Sequence, residues 1–141
     1  MNKNKPVLVG IIELSTIGEE LLAEMSPGNL NLSNKIGYCT IEVWPDEGQI
    51  PHFHIITKNK IKWECCIEIF RPRYFSHGSK QSTLSNKQLK ILDDWLRSPY
   101  NGNYLRADTI WDAIAGLWEL QGNPTKNFIN NAKQPDYTKT V

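Results

Sequence analysis

The sequence predicts an α+β domain: a short antiparallel β-meander packed on one face by two C-terminal α-helices, with an extra N-terminal strand and short helix. Two observations predict it. Three segments between Tyr38 and Phe70 alternate apolar and polar residues with the period of a strand, and turn residues part the first two. Two later segments carry apolar residues at helical spacing behind capping residues. At 141 residues the chain can bury a core without disulfides or metals. It divides into one domain, residues 1–124, and a polar C-terminal tail, residues 125–141.

The elements follow in order. Val7 to Leu14 is an apolar run that reads as a buried strand. Thr16-Ile17-Gly18-Glu19 fits a capping box for a short helix that Pro27-Gly28 ends. In Tyr38 to Trp44, Cys39, Ile41 and Val43 share one face, and Tyr38, Thr40, Glu42 and Trp44 the other. Pro45-Asp46-Glu47-Gly48 is turn chemistry. A second strand, His52 to Thr57, sets Phe53 and Ile55 against His52, His54 and Ile56. In the third, Ile61 to Phe70, the apolar face is Ile61, Trp63, Cys65, Ile67 and Ile69. Its polar face is Lys62, Glu64, Cys66 and Glu68. The meander then has one buried side and one solvated side. A three-residue Lys58-Asn59-Lys60 connection puts Thr57 opposite Ile61, His54 opposite Glu64 and His52 opposite Cys66. Pairing Trp44 with His52 puts Glu42 opposite His54. Leu84 to Arg97 is a helix with a Ser85–Gln88 capping box. Thr109 caps a second helix, which runs to about Gln121 before Gly122 and Pro124.

Composition excludes several classes. The formal net charge of +1 gives no global field for nucleic acid, although Lys58, Lys60, Lys62, Arg71 and Arg73 form local basic clusters. An odd set of three cysteines, Cys39, Cys65 and Cys66, is a poor disulfide framework and reads as reduced thiols in a cytoplasm. No CxxC pair marks a zinc ribbon, and no GxxxxGK[ST] marks a nucleotide loop. The Val7–Leu14 run is too short to span a bilayer, and no cleavage site follows it, so neither membrane insertion nor secretion is expected.

The candidate chemistry centres on Pro51-His52-Phe53-His54. Two histidines two apart on a strand share a face, with Cα atoms about 6–7 Å apart, so both imidazoles reach one divalent metal such as zinc. His77, Cys66, Glu42 or Glu64 would supply a third ligand. The metal candidates are therefore His52, His54, His77 and Cys66. For histidine-based catalysis the candidates are His54 and His52, with Glu64 and Glu42 orienting the imidazole. A further candidate is Cys66 as a nucleophile activated by His52 across the strand pair. Against these stand plainer readings, a cross-strand ion pair without function and Cys66 as a small strand residue. Trp44 falls on the polar face beside His52, as a contact residue or one covered by another segment.

Asp46-Glu47-Gly48-Gln49-Ile50-Pro51-His52-Phe53-His54-Ile55, followed by a strand, the capped helix with Leu84-Ser85 and Leu89, and a Trp-containing last helix, resembles a widespread group of small bacterial and phage proteins of unknown function. Their hallmark is a Pro-Pro-His-[Ile/Phe]-His-Val segment after a short acidic turn. Ile50 stands here in place of the first proline. The likeness covers about Gly37 to Asn123. It implies a compact α+β fold with His52 and His54 at the characteristic positions, and no particular activity. Members often sit in toxin–antitoxin-like gene pairs or among phage accessory genes. The leading expectation is a small cytoplasmic accessory protein of a phage or mobile element that binds another protein. The alternatives are a metal- or histidine-dependent hydrolase of a phosphoester such as RNA or a nucleotide, and a structural virion component.

Overall fold

The structure, a computed structural model, describes residues 5–14, 37–45, 47–57, 63–76, 82–123 and 132–141. The expected short helix after Thr16, the Lys58-Asn59-Lys60 connection and His77 lie outside them. Four strands form one antiparallel sheet in sequence order: β1 (Val7–Glu13), β2 (Tyr38–Val43), β3 (His52–Thr57) and β4 (Glu64–Glu68). The N-terminal strand is thus the outer member of the meander, beside β2. A β-bulge at Val9 keeps Val7 and Ile12 on the core face with Val43 and Cys39. Two helices, α1 (Asn86–Leu96) and α2 (Ile110–Leu120), pack against the sheet, and both begin in the capping boxes read from the sequence. Ser85 accepts from the Gln88 amide and Thr109 from the Asp112 amide. The core joins Ile41, Val43, Phe53, Ile55, Ile67 and Ile69 of the sheet region to Leu92, Leu96, Ile114, Leu117 and Trp118 of the helices. Among the described residues no helix is long and apolar enough to cross a membrane.

Two expectations about the sheet are corrected. Glu42 does face His54 across β2 and β3, but the β3–β4 register is displaced by two residues. His54 stands opposite Cys66, and His52 opposite Glu68. The cause is the length of the connection: the Thr57 amide donates to the carbonyl of Trp63, so five residues, not three, separate Thr57 from the residue it pairs with. A two-residue displacement preserves which face each side chain occupies, so the parity reading survives it. The second correction concerns solvent. The face expected to be wet is covered at its centre, where His52 is 0% and His54 5% exposed.

Part of the cover, Phe75 over His52, comes from the segment after β4. Arg73 to Phe75 folds back along the outer edge of β4: Glu68 donates to the Arg73 carbonyl and Phe75 to the Cys66 carbonyl, each at 2.9 Å. The C-terminal residue extends this ladder, Tyr74 donating to Val141 and Val141 to Pro72. The edge of β4 is therefore paired. Residues 132–141 dock through Tyr137, which is wholly buried. Its hydroxyl donates to the Ile69 carbonyl at 2.6 Å and accepts from Trp111 Nε1 at 3.1 Å. The buried Asp93 carboxylate accepts from the Tyr137 amide, at 3.0 Å, and from Arg97.

None of the cysteines forms a disulfide. Burial pushes the Cys39 thiol from the ordinary 9.0 to about 11, and burial first, then Cys39 and Glu64, pushes Cys65 to about 12. Between pH 9 and 11 the unfolded chain has lost protons that the folded chain keeps. The stability present below pH 9 is then lost as pH rises, by about 1.4 kcal/mol per pH unit for each thiol. Urea unfolding across this window should show that slope, and Cys65→Ala should make it shallower.

Candidate functional site

The site assembles where the β2–β3 turn meets the end of α2. Gly48, at φ 89°, reverses the chain just after Glu47. At the end of α2, Gly122 adopts φ 84° and turns Asn123 back toward this turn. The buried Asn123 amide donates to the Trp44 carbonyl at 3.0 Å and accepts from the Glu47 amide at 3.2 Å. It fixes both sides of the turn, and so the place from which the Glu47 side chain projects.

On β3, His52 and His54 leave the same face, with ring centroids 5.3 Å apart. Phe75 stacks on His52 at 3.8 Å with an interplanar angle of 9°, and Trp118 lies 5.3 Å from it. Trp44, half-buried, is tilted over His54 at 5.8 Å. His52 Nδ1 lies 2.8 Å from the Ile50 carbonyl. A carbonyl only accepts, so Nδ1 carries the proton and Nε2 presents its lone pair in the neutral ring. That Nε2 lies 3.4 Å from Glu47 Oε1. His54 Nε2 contacts the same Glu47 oxygen, while His54 Nδ1 contacts Glu64 Oε2.

Both ε-nitrogens therefore converge on one carboxylate oxygen, and each δ-nitrogen is held by an acceptor. Metal-binding histidines have this arrangement, with the outer N–H oriented by a carbonyl or carboxylate. The ligand atoms of Glu47, His52 and His54 lie within 4.8 Å of one another, as do those of His54, Glu64 and Cys66. The His52–Glu47 separation of 3.4 Å is that of two ligands on one ion, and an ion held by His54 as well would part the His54–Glu47 hydrogen bond.

The sequence candidates are distributed as follows. His52, His54, Glu64 and Cys66 are brought together. Glu42 is the strand partner of His54, and its carboxylate accepts from Thr40 Oγ1 at 2.9 Å. Cys66 is not set against His52, as expected of an activated thiol. It faces His54, with Sγ 3.3 Å from Nδ1. Burial first, then the negative Glu64, pushes the Cys66 thiol up, which disfavours a thiolate nucleophile. Arg71 binds Glu68 at 2.6 Å and Arg73 lies 3.8 Å from it, so both cations gather on the carboxylate of the strand partner of His52.

Two residues were missed. Glu47 reads in sequence as turn composition only, although an acid in the turn entering an HxH strand was a usable signal. Asn123 reads as the residue after a helix, and nothing local links it to a turn far back in the chain. No family model, curated protein or solved structure matches this chain, so its own geometry carries the functional argument.

Replacing Asn123 with Ala removes two hydrogen bonds from partly buried groups, at a cost of about 1–3 kcal/mol. The expected signature is local. Hydrogen exchange at the Glu47 amide should accelerate in Asn123→Ala, while amides at the centre of β3 keep their protection.

Proposed function

We propose that this protein is a divalent-metal-dependent hydrolase of a phosphoester, with Glu47, His52 and His54 as the metal ligands. The convergence of both histidine ε-nitrogens on Glu47 Oε1 carries the reading. Two histidines and one carboxylate leave positions open for water and substrate. A bound ion would lower the pKa of its water to about 7 and polarise a phosphoryl oxygen. Glu64 would hold the His54 δ-proton and the Ile50 carbonyl that of His52, fixing both rings. Arg71 and Arg73 favour an anionic substrate: both are substantially exposed and anchored through Glu68, the strand partner of His52. We assign the protein to the cytoplasm, where its three thiols stay reduced.

Elemental analysis of untagged protein should find one ion per chain. Glu47→Gln, His52→Ala and His54→Ala should each weaken binding more than tenfold, roughly the least expected of a lost ligand, since loss of an outer partner alone costs about 10–100-fold. The same variants should abolish hydrolysis of a chromogenic phosphodiester or of single-stranded RNA. Protein that takes up no ion, or a His54→Ala form that hydrolyses normally, would sink the proposal.

A second reading, as an accessory protein of a phage or mobile element that binds a protein partner, has one observation in its favour. On the histidine face the outer strand exposes Leu8 (45%) and Ile11 (44%), beside the exposed Tyr38 of β2. Such a patch at a sheet edge suits strand or side-chain docking. On this reading Ile11→Lys should lose a partner that wild-type protein retains in pull-downs from the native host, with folding unchanged. Retention by the variant would count against this surface.

A further inference from the structure

His54 has a second face. Its δ-nitrogen points away from Glu47 and His52 and toward two groups of β4. Cys66 is its direct strand partner, and Glu64 precedes Cys66 by two residues on the same side of the strand. The distance from Cys66 Sγ is 3.3 Å to His54 Nδ1 and 3.9 Å to Glu64 Oε2. A tetrahedral zinc-like ion, with sulfur at about 2.3 Å and nitrogen or oxygen at about 2.0–2.1 Å, sets these pairs about 3.5 and 3.6 Å apart. The third pair, His54 Nδ1 and Glu64 Oε2, is in hydrogen-bond contact and would part to about 3.4 Å as a sulfur–nitrogen–oxygen ligand set forms around one ion. Glu64 is half exposed, its side chain at 48%, and gives the ion a route from solvent; Cys66 is buried behind it. The other cysteines point elsewhere: Cys39 and Cys65 belong to the apolar core on the opposite face.

We infer that Cys66, Glu64 and His54 Nδ1 form a second metal site, selective for thiophilic ions, and that this site and the Glu47–His52 site are filled one at a time. The exclusion follows from imidazole chemistry. A neutral ring has one lone pair. An ion on Nε2 leaves the proton on Nδ1, where Glu64 accepts it. An ion on Nδ1 moves the proton to Nε2, where Glu47 accepts it. Each carboxylate is a ligand in one arrangement and the orienting group in the other. Filling both sites requires removing the last ring proton. Binding at the thiol side forms a metal–sulfur bond and breaks the S–H bond, the proton passing to solvent. Softness then selects the side: thiolate attracts zinc- or cadmium-like ions, whereas the oxygen- and nitrogen-only set suits harder ions such as Mn(II) or Fe(II). The exclusivity rests on the metal site proposed above; the thiolate site does not.

The test titrates the full-length, untagged chain with Cd(II) and separately with Mn(II). Wild-type protein should bind one Cd(II) per chain and develop a sulfur-to-metal charge-transfer absorption. Cys66→Ser, with Cys66→Ala as a second variant, should lose that absorption, and Cys39→Ser should keep it. Cd(II) should release bound Mn(II) one for one, followed by the spin resonance of the free ion. An absent band, or one that survives both Cys66 variants, overturns the thiolate site. Two ions held together on one chain overturn the exclusion. Mn(II) binding unchanged in Glu47→Gln overturns the Glu47–His52 centre instead, and leaves the cadmium band to judge the thiolate site separately.

Discussion

The imidazole of His54, held between Glu47 and Glu64, is the contact on which the rest of this face depends. At the middle of the sheet a buried imidazole meets two carboxylates, Glu47 largely covered and Glu64 half exposed. Isolated charges in such a place would be costly, and charges that satisfy one another are tolerated. The arrangement also ties three elements together, because Glu47 comes from a turn, His54 from β3 and Glu64 from β4. The aromatic rings of Phe75, Trp44 and Trp118 close over the two imidazoles. A cation shared by the same atoms fits this logic, since it replaces a proton between acceptors without enlarging the buried charge problem.

Much of the fold was legible because it rests on local rules. Alternation in Tyr38–Val43 and His52–Thr57 assigns each side chain to its face, and the capping residues Ser85 and Thr109 mark the helix starts. Register was legible only where the turn length was. The β2–β3 pairing of Glu42 with His54 was read correctly, whereas the β3–β4 pairing moved because Lys58-Asn59-Lys60 is only part of the connection. Parity made that error harmless to the site, since displacement by two leaves Glu64 and Cys66 on the face of His54.

What sequence could not supply was cover and long-range anchoring. A polar stripe on a strand reads as solvated unless another segment is known to lie over it, and Arg73–Phe75 has no periodicity to announce that it folds back along β4. The same holds for the polar end of the chain. Tyr137 is one aromatic in a run of Lys, Gln, Asp and Thr, yet it fills a slot between Trp111 and the Ile69 carbonyl. Glu47 became a site residue only once Asn123 fixed its turn, and that pairing leaves no mark in either local stretch.

The Asn123 clamp has a consequence for the order of events in the cell. Its two ends are 76 residues apart in the chain. During synthesis the histidine ribbon leaves the ribosome long before α2 and the residue that secures the Glu47 turn. Contacts of such separation are late to form. The nascent meander therefore holds two imidazoles while the Glu47 turn is still unanchored, and on the proposed metal reading the ligand set would be complete only after the last helix has docked. Ion capture, as proposed, would then be coupled to completion of the domain, and an unfinished chain would compete poorly for scarce metal.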